Sequence, residues 1–200
     1  AHENDIWKTI QLTNILKSGA DFKLQIVTDD DGNRTLRMHS TNAGETLKLL
    51  GYYENMRGGK LEITGRFDDA VADRPLTGVV SVKDYRVVEA PVLAHVLSIM
   101  ALTGILEALQ GDGLAFNSLK IPFVQRHGAI SLTDARASGV SLGFTATGTI
   151  YTHADVLDIK GTVVPAYAIN SALGHIPVLG DIFIGGEKGS GIFAANLTMT

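Results

Sequence analysis

Three stretches of this sequence, and its six scattered histidines, carry residue types that could do chemistry. Gly139-Val-Ser-Leu-Gly143 fits the nucleophile-elbow pattern, and Asp155 and His175 follow it in the chain order of a serine-hydrolase triad. That mechanism needs the serine on a sharp strand-to-helix turn. The residues after Ser141, Phe144-Thr-Ala-Thr-Gly-Thr-Ile150, alternate as a strand does, so the serine lacks its setting. Gly185 to Gly191 is glycine-rich but lacks the Gly-Lys-Ser/Thr ending of a phosphate loop and leads into a strand pattern, not a helix. Asp29-Asp-Asp-Gly-Asn33 opens like a calcium loop without the glutamate due at its twelfth position, and reads as a solvated hairpin turn. The histidines at 2, 39, 95, 127, 153 and 175 form no helical i, i+4 pair, and there is no cysteine. The expectation is a chain with no catalytic residue, no metal and no cofactor.

The elements that would position any site are mostly strands. Apolar residues alternate over Lys8–Leu16, Phe22–Val27, Thr35–His39, Lys60–Phe67 and Thr77–Val88, with a slip near Asp84. Further strands read at Leu114–Val124, Ala129–Ala137, Ser141–Tyr151, Val156–Val164 and Ile192–Met199. Joined by short turns, they predict an antiparallel meander. Thr41-Asn-Ala-Gly-Glu45 supplies a helix N-cap, with Thr46–Tyr53 as a short amphipathic helix that Gly58-Gly59 would end. Ala166–Gly174 reads as another short helix. A Gly-x-apolar-x-apolar pattern recurs at Gly59, Gly78 and Gly128, a weak internal repeat.

Pro91–Leu109 differs from all of these. As one helix its apolar residues gather into no single stripe, so it would have to be covered on nearly every side, by protein or lipid. His95 and Glu107 inside it argue against a membrane span. A second apolar element runs from Tyr167 to Ile184. Two such elements exceed what one sheet face needs, and apolar surface beyond the core marks partner, ligand or membrane contacts. With 200 residues, a net charge of −4 and no basic cluster, the chain suits one domain over 1–200 and gives no footprint for nucleic acid. AHENDIWKT carries no secretory signal, and Asn196-Leu-Thr-Met-Thr200 stops inside a strand pattern, which reads as a piece of a longer protein.

Several segments resemble a known family. They are Val88-Glu-Ala-Pro-Val-Leu-Ala94, Ser98-Ile-Met-Ala-Leu-Thr-Gly-Ile-Leu106 and Gly111-Asp-Gly-Leu-Ala-Phe116, with Asp134-Ala-Arg-Ala-Ser-Gly139 and Ala146-Thr-Gly-Thr-Ile150. The densest is Leu157-Asp-Ile-Lys-Gly-Thr-Val-Val-Pro-Ala-Tyr-Ala-Ile-Asn-Ser-Ala-Leu-Gly-His-Ile-Pro-Val-Leu-Gly180, followed by Gly185-Gly186 and Gly191-Ile-Phe-Ala194. Ala43-Gly-Glu-Thr-Leu-Lys-Leu-Leu-Gly51 and Arg57-Gly-Gly-Lys-Leu61 fit as well. From about Asn42 onward the chain resembles the C-terminal region of the AsmA-like family, with its YhdP and TamB relatives.

That resemblance implies a periplasmic module of an inner-membrane-anchored protein of a Gram-negative bacterium. Such a module would bind lipid and pass phospholipid between the inner and outer membranes, supporting envelope integrity. The fold it implies, together with the alternation, is mainly β (α+β): a curved antiparallel sheet or half-barrel groove with two or three short helices. One long apolar helix would pack on the sheet. The lipid- or partner-facing apolar residues expected are Leu93, Leu97, Met100 and Ile105, with Ile176, Val178, Leu179, Ile182 and Phe183. The expected partners are phospholipid acyl chains, with a membrane or an envelope protein at 176–184. The rival expectation is a non-catalytic structural or interaction module in envelope or outer-membrane protein assembly.

Overall fold

The computed structural model describes residues 2–3, 6–7, 9–152, 156–165 and 193–199, the first two and the last of these ranges as backbone alone. Two short strands, β1 (His2–Glu3) and β2 (Ile6–Trp7), pair with each other. The strands that follow are β3 (Thr9–Ile15), β4 (Asp21–Thr28), β5 (Arg34–Ser40), β6 (Met56–Phe67) and β7 (Leu76–Val87). After them come β8 (Leu114–Arg126), β9 (Ala129–Gly139), β10 (Leu142–Tyr151), β11 (Val156–Pro165) and β12 (Phe193–Met199). From β3 to β12 they form one ten-stranded antiparallel sheet whose spatial order is the order of the chain. It is curved and does not close. The mainly β expectation therefore holds.

A meander puts alternate connections at opposite rims of the sheet. One rim holds the β4–β5, β6–β7 and β8–β9 connections. The other holds the β3–β4 turn, the Val140-Ser141 hairpin and all three helices: α1 (Ala43–Leu49), α2 (Pro91–Ile99) and α3 (Thr103–Gln110). Helix α1 begins where Asn42 accepts a hydrogen bond from the Glu45 amide at 3.1 Å, as the cap signal required. A Cβ on Gly44 would stand 2.3 Å from the Met56 carbonyl oxygen, so only glycine lets α1 lie this close on β6. Gly58-Gly59 does not end this helix. Both glycines sit inside β6 at positive φ, opposite the positive-φ residue Asp84, where the predicted slip in β7 is found. The three glycines of the sequence repeat thus do different jobs: Gly59 sits at that irregularity, Gly78 makes room for the Phe123 ring, and Gly128 turns a hairpin.

The single long helix over Pro91–Leu109 is corrected to two. Helix α2 stops at Met100. Ala101 adopts φ +55° and donates its N–H to the Ser98 carbonyl, while the Leu102 N–H reaches the Leu97 carbonyl at 2.9 Å. This is a Schellman stop with alanine where glycine is usual, closed by the apolar pair Leu97 and Leu102. The break explains the scattered pattern. On one continuous helix, Leu93-Ala94-Leu97 and Leu102-Ile105-Leu106-Leu109 would face directions roughly 120° apart. Restarting the helix brings both stripes onto the same core.

That core lies between the helices and one sheet face. Leu61, Val82, Phe116, Leu97, Leu109 and Leu142 are almost fully enclosed, with the Tyr85 ring stacked on Phe116 at 5.2 Å. The Tyr85 hydroxyl is buried there without a hydrogen-bond partner among the described residues, and burial pushes its pKa up.

Candidate functional site

Directly paired residues of neighbouring strands point to the same side of a sheet. Following the pairing across the strands gives continuous rows. One row runs Leu12, Leu24, Met38, Ile63, Val80, Ile121 from β3 to β8. The next begins Ile10, Ile26, Leu36, passes Gly65 and Gly78, and continues Phe123, Leu132, Gly148, Ile159 as far as β11. A third, nearer the helix-free rim, joins Phe67, Leu76, Gln125, Ile130, Ile150 and Leu157. None of these positions carries a charge. The second row crosses nine strands, about 38 Å at the usual strand spacing.

The opposite face is wet. Lys23, Arg37, Glu62, Lys83 and Lys160 are exposed on it, out of step with the apolar rows, and Arg136 joins them opposite Lys120, beyond the β8–β9 register shift. The rows themselves are mostly neither core nor surface. Leu24, Met38, Ile63, Val80 and Ile121 are all partly exposed, and Leu12 at the edge is 52% exposed. The helices cover the part of the apolar face beyond these rows, around Leu61, Val82 and Leu119. What remains is an open apolar strip running across the strands.

The margin of this strip at the helix-free rim is held by Arg34. It lies 4.2 Å from the centre of the Phe67 ring and donates from Nε and Nη2 to the Asp69 carboxylate, at 2.7 Å from Nη2. That hydrogen bond, ahead of its other causes, holds the Asp69 carboxyl below the usual carboxylate range.

Two hollows exist elsewhere. One of about 570 Å³ lies beside α1, lined by Glu45, Lys48, Glu54, Arg57 and Glu89 among others. One of about 430 Å³ involves Lys23, Gln25, Arg37, His39, Glu62 and Thr64 on the wet side. Both mix opposite charges. Neither offers an apolar ligand an enclosed place.

The sequence-predicted residues divide. Leu97 is fully enclosed in the core, and Leu93 and Ile105 pack against that core while partly exposed. Met100 caps α2 and is partly exposed. Ile176, Val178, Leu179, Ile182 and Phe183 lie outside the described residues, as does the predicted helix at 166–174. Ser141 sits in the β9–β10 hairpin and leads into strand β10, as the alternation required. The Asp29 carboxylate accepts the amides of Asp31 and Asn33, so it closes its own turn. Among the described residues no group of three His, Asp or Glu side chains could hold a metal ion, and no helix is long and apolar enough to cross a membrane.

The apolar rows are not legible in the sequence. Each strand's alternation marked its own members, but only the register shows that they meet.

No family model, curated protein or solved structure matches this chain.

Proposed function

We propose that this chain binds the acyl chains of phospholipid along the uncharged face of its sheet, as a lipid-groove module of an AsmA-like bridge protein in the periplasm. The observation that carries the reading is the row from Ile10 to Ile159, apolar or glycine at every position across nine strands and crossed by no charge. Acyl chains need only such a surface. Each CH₂ removed from water contributes about 0.8 kcal/mol, so a chain lying along even half of the strip would be held without any polar recognition. The strip runs across the strands, so a ligand could slide from one strand to the next without meeting a different chemistry. On this reading the protein carries phospholipid between inner and outer membranes and performs no reaction.

Native mass spectrometry of the purified chain incubated with phosphatidylethanolamine tests it. The wild type should carry bound lipid. Leu12→Glu with Leu24→Glu, which places two charges in the strip at partly exposed positions, should abolish loading while the far-ultraviolet circular dichroism stays unchanged. A wild type that takes up no lipid, or a double variant that loads equally well, would sink the proposal.

A further inference from the structure

The helix-bearing rim has a chemistry of its own. Among the described residues twelve large apolar side chains are exposed; seven of them stand on the connections of this one rim, and an eighth, Ile15, ends β3 there. The most exposed are Ile15 where β3 ends, Leu49 and Tyr52 after α1, Ile99 at the end of α2 and Val140 in the β9–β10 hairpin, between 61% and 73% exposed. Register places Ile15 and Val140 at this edge, and the order of the meander places the connections that carry Leu49, Tyr52 and Ile99 between them. Ile15 pairs with Asp21 at the start of β4, and Gly139, next to Val140, pairs with Phe116 near the start of β8. From β3 to β9 this edge extends about 30 Å.

We propose that this rim rests on the surface of a zwitterionic lipid bilayer, with Leu49, Tyr52, Ile99 and Val140 inserted to the level of the headgroups and first methylenes. Two features favour a bilayer over a protein. The apolar side chains protrude from separate loops with polar residues between them, whereas the core of a protein interface is contiguous and depleted of charge. A bilayer accepts separated plugs. Tyrosine beside leucine is the pairing that membrane interfaces favour, apolar body inward and hydroxyl at the headgroups. Charge decides the lipid. Among the described residues the rim connections carry Lys17 and Lys48 against Glu45, Glu54, Glu89, Glu107 and Asp112, a balance that does not favour anionic lipid. The inference does not rest on the groove reading, since the rim could dock with the strip empty.

Flotation of the full chain with phosphatidylcholine–phosphatidylethanolamine vesicles is the test. The wild type should float. Leu49→Ser, Tyr52→Ser and Ile99→Ser combined should lower vesicle partitioning by about tenfold or more. Because all three side chains are largely exposed, the melting temperature should hold. Val71→Ser, on the opposite rim, should float as the wild type does. A wild type that stays at the bottom, a triple variant that floats normally, or binding confined to anionic vesicles and reversed by salt would each overturn the proposal. So would a dimer that the triple variant dissolves and vesicles do not disperse, because the rim would then join two copies. Loss of flotation with phosphatidylethanolamine loading intact would locate the defect at the rim alone.

Discussion

At one end of the strands, Asp29, Asp31, Asp69 and Asp73 meet Arg66, Arg34, Arg126 and His127. At the other end the connections grow into helices, and Leu97, Leu109 and Leu142 vanish into a core while Tyr52 and Ile99 stand out in water. The same sheet is therefore finished by charge at one rim and by burial at the other. The two finishes differ in what they leave free. At the charged rim every guanidinium named above has a carboxylate partner, so little remains there for a ligand beyond screening by salt. Burial satisfies only the inward side of each helix and leaves the outward side apolar. The helix-bearing rim is where surface remains to be covered.

This contrast can be broken by mutation, and the largest effect belongs to the buried rim. Leu97→Ala should cost about 2–5 kcal/mol in chemical denaturation, because both helices and the sheet close around that side chain. A loss below about 1 kcal/mol would mean that the helices are only loosely attached.

The charged rim should answer more weakly and depend on pH. Arg34→Ala removes the hydrogen bonds to Asp69 and the contact with Phe67, and should cost about 2 kcal/mol at neutral pH. The sign with acid follows from Asp69. Its folded pKa lies below the unfolded value, so its contribution is complete above the ordinary carboxylate range and is lost as pH falls through the folded pKa. The gap between wild type and Arg34→Ala should therefore hold from neutral pH to about pH 5 and narrow in stronger acid. A gap that widens on acidification would contradict it.

The smallest effect has the opposite sign. Ala101 occupies the left-handed C′ position between α2 and α3, so Ala101→Gly should raise stability by about 0.5–1 kcal/mol, read as a higher melting temperature. A destabilised variant would show that the bend is fixed by packing and not by the stop itself.

Much of this fold was legible in the residues. Strand alternation found every strand from β3 to β12 and the slip at Asp84, because period two survives whatever the strand packs against. Asn42 announced α1 through a local hydrogen bond. The long helix failed for an equally local reason. Ala101 carries no glycine signal, so nothing in its type announces a left-handed residue, and without that break the apolar residues scatter around one helix. The uncharged strip is not legible for a non-local reason: Leu93, Leu97 and Ile105 lie on the two helices that cover the core, whereas the strip is built from strands up to about 150 residues apart.

The sequence by itself determined the strands, their antiparallel order and the strand that follows Ser141, since each depends on neighbours a few positions apart. Only the tertiary structure decided that Ile10, Ile26, Leu36, Phe123, Leu132 and Ile159 share one row, and that the exposed tips of four connections share one rim. The physical reason is register. Alternation tells each strand which of its residues face the same way, but hydrogen bonds between strands determine which of those residues stand side by side.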